Sequence, residues 1–209
     1  MIDILLAVYN GENYLAEQIE SILSQTEPDW RLIISDDYST DHSRDIARVY
    51  SEMYPDRIIS YQNTEPSVSV QANFVKMLSL AESEYVMFCD HDNVWKPDKI
   101  KLTLAAMHKL EQHFGDIPLL VHSDLEVVDS DLKPLHASFL SYQKLDPRCR
   151  TLNRLLVQNN VTGCTVMINQ PLLDLVKDVP PSSMLMYDWW IALTAAAFGQ
   201  LGFIERPLT

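Results

Sequence analysis

Short apolar runs at residues 4–8, 32–35, 58–61, 85–89 and 119–122 alternate along this chain with stretches whose apolar residues recur at helical spacing. A run of four to six apolar residues is too short for a stable helix. Without polar alternation it must be covered on both faces, as in a largely parallel sheet with helices on each side. The intervening segments supply those helices. Leu15, Ile19, Ile22 and Leu23 share one face. Ile46, Val49, Tyr50 and Met53 do the same behind the capping residues Ser39-Thr40-Asp41. Phe74, Met77, Leu78 and Ala81 point inward from a helix over 73–81, and Lys96-Pro97-Asp98 opens a long one. Further on, the pattern predicts strands at 126–128 and 165–168, a short helix at 152–158 and a Trp- and Ala-rich helix over 188–198. Pro180-Pro181-Ser182-Ser183 reads as a mobile loop, and Met184-Leu185-Met186 as an apolar lip or core segment. The expected fold class is α/β, a single domain with a mixed, mostly parallel sheet flanked by helices.

The polar residues that close these runs carry the chemistry. Tyr9-Asn10, Asp36-Asp37 and Asp90-His91-Asp92 each follow the carboxyl end of a strand. In an open α/β sheet, ligands bind outside those ends. If the strands are neighbours, several carboxylates meet in one crevice and repel one another, so a cation is needed. A hard divalent ion, Mg²⁺ or Mn²⁺, takes oxygen ligands and shares them with phosphate. This gives a metal-dependent phosphate-ester or nucleotide site.

Composition removes several other classes. The 209 residues carry a formal charge of −13, which opposes nucleic-acid binding and does not favour docking on anionic lipid. The five glycines build neither a dinucleotide fingerprint nor a P-loop, and H-E-x-x-H and G-x-S-x-G are absent. Cys89, Cys149 and Cys164 are odd in number and widely spaced, which fits a reducing cytoplasm rather than a disulfide framework or a zinc site. The N-terminal Met1-Ile2-Asp3-Ile4 reads as a strand rather than a signal peptide, and no apolar stretch approaches a membrane span. The expectation is a cytoplasmic protein.

Several strings in order along the chain resemble family 2 glycosyltransferases of the GT-A fold, and within them the bacterial rhamnosyltransferase-like branch that builds cell-surface polysaccharide. They are Ala7-Val8-Tyr9-Asn10-Gly11-Glu12 with Ser21-Ile22-Leu23-Ser24-Gln25-Thr26; Asp36-Asp37-Tyr38-Ser39-Thr40-Asp41; and the D-x-D-like Asp90-His91-Asp92-Asn93-Val94-Trp95-Lys96-Pro97. His122-Ser123-Asp124-Leu125, Asn160-Val161-Thr162-Gly163-Cys164-Thr165 and Tyr187-Asp188-Trp189-Trp190 extend the likeness downstream.

The resemblance implies a nucleotide-sugar donor, with dTDP- or UDP-sugars favoured, and Mn²⁺ or Mg²⁺ as cofactor. It also implies a saccharide or lipid-linked acceptor, the latter compatible with peripheral attachment at the inner membrane face. Transferred position by position, Tyr9 and Asn10 would border the nucleotide, with Tyr9 lining the base pocket. Asp37, in preference to Asp36, would accept from the base N3–H. Asn73 would lie near the nucleotide. Asp92 would bind the metal, Asp90 would take the ribose or join the metal through water, and Asp188 would be the catalytic base. Residues 1–95 would form the nucleotide-binding half and 96–209 the acceptor half. Tyr38, His42 and Asn93 depart from the usual pattern, the first two replacing glycines. The branch would be expected to continue past Thr209 with a segment closing over the diphosphate, so the C-terminal segment reads as truncated.

Rival readings stay open at this stage. Asp188 could be an ordinary helix cap, and Tyr9 a core tyrosine. His91 could be a spacer, while His122, His136 and Cys164 read as structural. A sugar nucleotidyltransferase would want a Gly-rich loop with Arg and Lys, which Tyr9-Asn10-Gly11-Glu12 does not supply. A non-catalytic nucleotide-sugar-binding or assembly subunit is the other alternative. At a helix N-terminus Asp188 would feel the dipole, lowering its pKa, while Trp189 and Trp190 would raise it by desolvation; the net direction is left open.

Overall fold

The computed structural model describes residues 1–67, 69–178 and 186–209. The predicted loop at 180–183 and most of the apolar lip at 184–186 therefore lie outside the described residues.

The chain runs β1 (Ile2–Val8), α1 (Leu15–Leu23), β2 (Trp30–Asp36), α2 (Ser43–Met53), β3 (Ile58–Gln62), α3 (Val70–Leu78), β4 (Tyr85–Asp90), α4 (Lys99–Phe114) and β5 (Leu119–Asp124). A small hairpin of β6 (Val127–Val128) and β7 (Pro134–His136) follows, then the short helices α5 (Phe139–Tyr142) and α6 (Leu152–Leu155). After a 3₁₀ turn at Gly163–Thr165 come β8 (Met167–Asn169), α7 (Gln170–Val176), α8 (Tyr187–Phe198) and β9 (Gln200–Pro207). The main sheet has seven strands in the order β3-β2-β1-β4-β8-β5-β9. The β1–β2, β1–β4, β2–β3 and β5–β9 pairs are parallel, and β8 runs antiparallel between β4 and β5.

Side chains alternate across the pleat, so the apolar runs feed two cores. Ile2, Ile4, Leu6 and Val8 of β1 pack with Leu15, Ile19 and Ile22 of α1 and Ile100 and Met107 of α4. Leu5 faces the opposite layer with Ile33, Phe74, Phe88, Leu172 and Ile191. Each fully buried aliphatic or aromatic side chain of this kind contributes roughly 1.5–3 kcal/mol. The one charge inside the first run has a local answer. Asp3 is fully buried at the edge away from the polar strand ends, and accepts from Arg31 Nε (2.9 Å) and Nη2 (3.0 Å). The backbone N–H groups of Glu82 and Ser83 also donate to it, at 2.8 and 3.0 Å.

Several boundaries differ from the periodicity. The α3 helix spans Val70–Leu78 rather than 73–81, because Ser69 caps it by accepting from Ala72 N–H at 3.2 Å. The strand expected at 165–168 begins at Met167, its predecessor being the 3₁₀ turn, and the helix expected at 152–158 stops at Leu155. The α4 helix starts only after Pro97-Asp98. Helix α7, capped by Asn169 with Pro171 in its first turn, and strand β9 had no counterpart in the pattern.

Candidate active site

The register of the sheet brings the polar strand ends together. Val8 pairs with Asp36 across β1–β2, and Ala7 with Asp90 across β1–β4, so three strands end side by side. Asp37 N–H continues the ladder to the Val8 carbonyl at 2.8 Å. The result is a cleft of about 280 Å³ walled by Ala7, Val8, Tyr9, Asp37, Asn73, Phe74 and Asp90-His91-Asp92. Tyr9 stands 59% exposed on this wall, which disposes of the core-tyrosine reading.

Two loops frame the cleft and clasp each other. Asn10 N–H donates to Ser39 Oγ (2.9 Å), and Thr40 N–H donates back to Asn10 Oδ1 (2.9 Å). Gly11 N–H donates to Ser43 Oγ (2.8 Å), Glu12 N–H to Asp41 Oδ2 (3.0 Å), and His42 N–H to Glu12 Oε2 (2.9 Å). The carbonyl oxygen of the Asn10 side chain is thus used to hold the neighbouring loop. Tyr38, standing where glycine was expected, adopts φ +66°, a left-handed conformation that glycine enters without strain. The Arg44 guanidinium covers its ring at 4.9 Å.

The two aspartates that close β2 have different surroundings. Asp36 is fully buried, with its Oδ1 accepting from Arg44 Nε (2.8 Å) and Ser39 N–H (3.1 Å). It lies behind the cleft, not on its wall. Asp37 is on the wall, and its Oδ1 accepts from Asn63 Nδ2 (2.9 Å) and Ser67 N–H (2.8 Å). Asn73 is buried and its Oδ1 accepts from Ser35 Oγ (2.8 Å) and, at the limit of 3.5 Å, Asn63 Nδ2. Asn63, which also accepts from Lys76 Nζ, is the polar hub that sequence reading missed. It follows the carboxyl end of β3, the position that singled out the other strand-end residues.

On the far side lie Asp90, Asp92 and Asp188. Burial, then the charge of Asp92, pushes Asp90 up to about 6; Asp188 adds to the rise, while His91 and Lys99 oppose it. Asp188 is also raised, because burial outweighs the hydrogen bonds it accepts from Trp189 N–H and Gly163 N–H. Its Oδ2 accepts from Gly163 N–H at 3.2 Å. The start of α8 is fixed by Tyr187, stacked on Phe74 with centroids 3.7 Å apart, and by Trp189 Nε1 donating to the Leu155 carbonyl at 2.6 Å. Gly163 has no room for a side chain, since a Cβ there would lie 2.0 Å from the Tyr187 hydroxyl.

Among the described residues no group of three or more His, Cys, Asp or Glu side chains could hold a metal by itself. Oxygen donors from Asp90 and Asp92, with neither in an ion pair among the described residues, suit a hard divalent ion that completes its shell on a phosphorylated ligand. Asp92 also borders a second cleft of about 330 Å³ lined by Val94, Lys96, Leu125, Val128 and Thr209. A third, of about 670 Å³, opens between Asp124, Ser138, Lys144, Arg148, Phe203 and Glu205. His122 is buried with both ring nitrogens lacking a hydrogen-bond partner among the described residues, and burial, helped by Arg150, pushes its pKa down to about 3, so the ring is neutral.

The sequence model of glycosyl transferase family 2 matches residues 3–118, which contain every residue of the cleft wall but not Asp188. The chain is 34% identical over 206 residues to the putative teichuronic acid biosynthesis glycosyltransferase TuaG of Bacillus subtilis, covering 98% of this chain and 76% of TuaG. It is 38% identical over 109 residues to the dTDP-rhamnosyl transferase RfbG of Shigella flexneri, covering 49% of this chain and 36% of RfbG. The mannosyltransferase PcManGT of Pyrobaculum calidifontis, solved with GDP-Man and Mn²⁺, superposes with a TM-score of 0.67 at 18% identity, over 98% of this chain and 54% of that one. The last likeness shows the fold. Against RfbG and PcManGT the chain spans about a third to a half of the partner's length.

Proposed function

The chain belongs to glycosyl transferase family 2, and from that premise we propose that it transfers a sugar, with inversion, from a nucleotide-sugar donor to a glycan or lipid-linked acceptor in cell-surface polysaccharide synthesis. The observation that carries the reading is the convergence of Tyr9, Asp37, Asn73, Asp90 and Asp92 on one cleft at the carboxyl ends of adjacent parallel strands. A dTDP- or UDP-sugar is the favoured donor. Uracil and thymine both present an N3–H that Asp37 can accept, and RfbG is named for a dTDP-sugar.

In this reading Tyr9 walls the base, and Asp37, steadied by Asn63 and Ser67, accepts its N–H. Asn73 and Asp90 lie toward the ribose. Asp36 acts one step removed, by anchoring Arg44 and the 39–43 loop. Asp92, with Asp90, would hold Mn²⁺ or Mg²⁺. That ion, when bound, neutralises charge developing on the nucleoside diphosphate leaving group. Asp188 takes the proton of the acceptor hydroxyl as the oxygen bonds to the anomeric carbon and the bond to the diphosphate oxygen breaks. A positioned base of this kind contributes about 10²–10⁴-fold. Its raised pKa brings it closer to neutral pH, where a base is most effective. Residues 1–95 form the donor half, and 96–209 shape the acceptor side. Among the described residues no helix is long and apolar enough to cross a membrane. Peripheral attachment at the inner face would accompany a lipid-linked acceptor.

The test is calorimetric titration of UDP, dTDP and GDP, each with and without Mn²⁺, into the wild type and Asp92→Asn. Metal-dependent binding of one nucleotide, lost in the variant, supports the site and names the donor class. A folded protein that binds none of the three refutes it.

A further inference from the structure

Lys99 occupies a position that ordinary physical chemistry disfavours twice. It is fully buried, and it is the first residue of α4, where the helix dipole favours anions rather than cations. Burial lowers its pKa to about 8. Its side chain reaches across the fold to other segments. Nζ donates to the Cys164 carbonyl at 2.7 Å and to Thr209 Oγ1, and lies 4.2 Å from the centre of the Trp95 ring, just beyond the Asp90-His91-Asp92 loop. The Cys164 carbonyl belongs to the same 3₁₀ turn as Gly163, whose N–H holds Asp188 Oδ2. That turn has no slack, because Gly163 sits directly against the Tyr187 hydroxyl.

We infer that Lys99 is a positioning residue: by gripping the Cys164 carbonyl it sets the Gly163 N–H that orients Asp188. This rests on the reading of Asp188 as the base. It explains why a cation stands where burial and helix dipole both oppose one. A lysine that only held Thr209 in place would need no link to the turn that holds Asp188.

The chain has five glycines, so ¹⁵N-glycine labelling yields a spectrum in which Gly163 can be followed by itself. In Lys99→Met the Gly163 amide should shift, and so should the pH at which it titrates with Asp188. Gly115, Gly199 and Gly202 should hold their positions. Lys99→Arg, which keeps the charge, should move Gly163 less, and Thr209→Val, which removes only the Thr209 hydroxyl contact, should leave it in place. With UDP-glucose or dTDP-rhamnose and Mn²⁺ as donor probes, kcat for donor hydrolysis should fall roughly 10- to 100-fold in Lys99→Met with little change in KM, as expected for a misplaced catalytic group.

An unmoved Gly163 amide in Lys99→Met overturns the inference. Should that variant not fold, the wild type decides. The ionisable groups facing Lys99 are Asp90, pushed up to about 6, Cys164, pushed up to about 12, and Cys89, held well above its ordinary value by burial. An inflection of the Gly163 shift between pH 7 and 10 therefore reports Lys99, and a flat response refutes the coupling. Asp188→Asn separates the two readings. If it keeps full turnover, the base assignment falls; if it is inactive while Lys99→Met is not, the positioning role falls.

Discussion

Gly11→Ala tests how closely the cleft is built. Gly11 lies in the clasp between the two framing loops, and a Cβ placed on it would sit 2.4 Å from His91 Cδ2, 2.8 Å from Cγ and 3.2 Å from Nε2. Ordinary van der Waals contact begins near 3.4 Å, so the imidazole must retreat by about 1 Å, the difference between 3.4 and 2.4. The ring stands between Asp90 and Asp92 on the cleft wall, so its retreat falls beside both carboxylates. Forcing an extra methyl into a packed site costs about 1–3 kcal/mol. Urea unfolding of Gly11→Ala should show a loss of that size. Moving a ligand-binding group by about 1 Å is enough to cost ~10²-fold in a catalysed step. Metal-dependent nucleotide binding, read by calorimetry, should weaken by roughly tenfold or more. The decisive arm is the double variant: with His91→Ala in the background, Gly11→Ala should cost almost nothing, giving a coupling energy of about 1–2 kcal/mol between neighbours in contact. If Gly11→Ala is equally destabilising with and without the His91 ring, the contact is not the cause and the reasoning is refuted.

Asp3→Asn leaves Arg31 without its buried partner and should cost about 3–5 kcal/mol in urea unfolding at pH 7. Burial would raise the Asp3 pKa, but the Arg31 fork and the Glu82 and Ser83 N–H groups together bring it below 3.8. The wild type's advantage over the variant should therefore be full above about pH 4 and fade as pH falls further. For Lys99 the depressed pKa marks a penalty rather than a gain, though stability again rises with pH. Its folded-state pKa of about 8 lies below the ordinary 10.5, so the penalty for burying the charge is full below pH 8 and is relieved as pH rises toward 10.5. From pH 7 to pH 10 the wild type should gain about 2 kcal/mol relative to Lys99→Met, and a constant difference would mean that its pKa is not depressed. Asp92→Asn should abolish the Mn²⁺-dependent part of nucleotide binding while leaving the urea midpoint nearly unchanged, since Asp92 is exposed; a drop in the midpoint would show a structural role instead.

What the sequence made legible was whatever is encoded locally. The apolar runs at 4–8, 32–35 and 85–89 marked the parallel strands, and the polar residues closing them marked the cleft, because register alone then sets Val8 beside Asp36 and Ala7 beside Asp90. Long-range partners were not legible. The Asn10 carbonyl oxygen looks like a ligand group until the 39–43 loop is seen to occupy it. Asp36 and Asp37 are adjacent in the chain, yet only the fold shows that Arg44 claims one and that Asn63 and Ser67 hold the other against the cleft. Nothing near Lys99 in sequence reveals that Cys164 and Thr209 close over it. Strand β9 was missed for a similar reason, since Gly202 and the charged Glu205-Arg206 break its apolar pattern and pairing with β5 makes it a strand.

The way the fold treats its carboxylates separates structural from functional acids. Where an aspartate is fully buried, a partner is supplied: Arg31 with two backbone N–H groups for Asp3, and Arg44 with the Ser39 N–H for Asp36. Asp124 is satisfied by the Leu125 and Leu140 N–H groups and the Ser138 hydroxyl. Asp92 and Asp188 stand close enough to Asp90 to raise its pKa, and none of the three has a salt-bridge partner among the described residues. Lys99 lies within electrostatic reach, but its hydrogen bonds go to Cys164 and Thr209. Holding Asp90 ionised at neutral pH against a pKa of about 6 rather than 3.8 costs on the order of 3 kcal/mol. An arginine could have removed that cost, as it does at Asp3 and Asp36, yet a fixed arginine would also neutralise the acids before any ligand arrived. Leaving the cluster short of positive charge makes the cation a part of the ligand complex. Mn²⁺ with the matching nucleotide should therefore raise the unfolding temperature more at pH 7 than at pH 5, where Asp90 is already protonated, and an equal rise at both pH values would refute the assignment of Asp90 to the metal–diphosphate site.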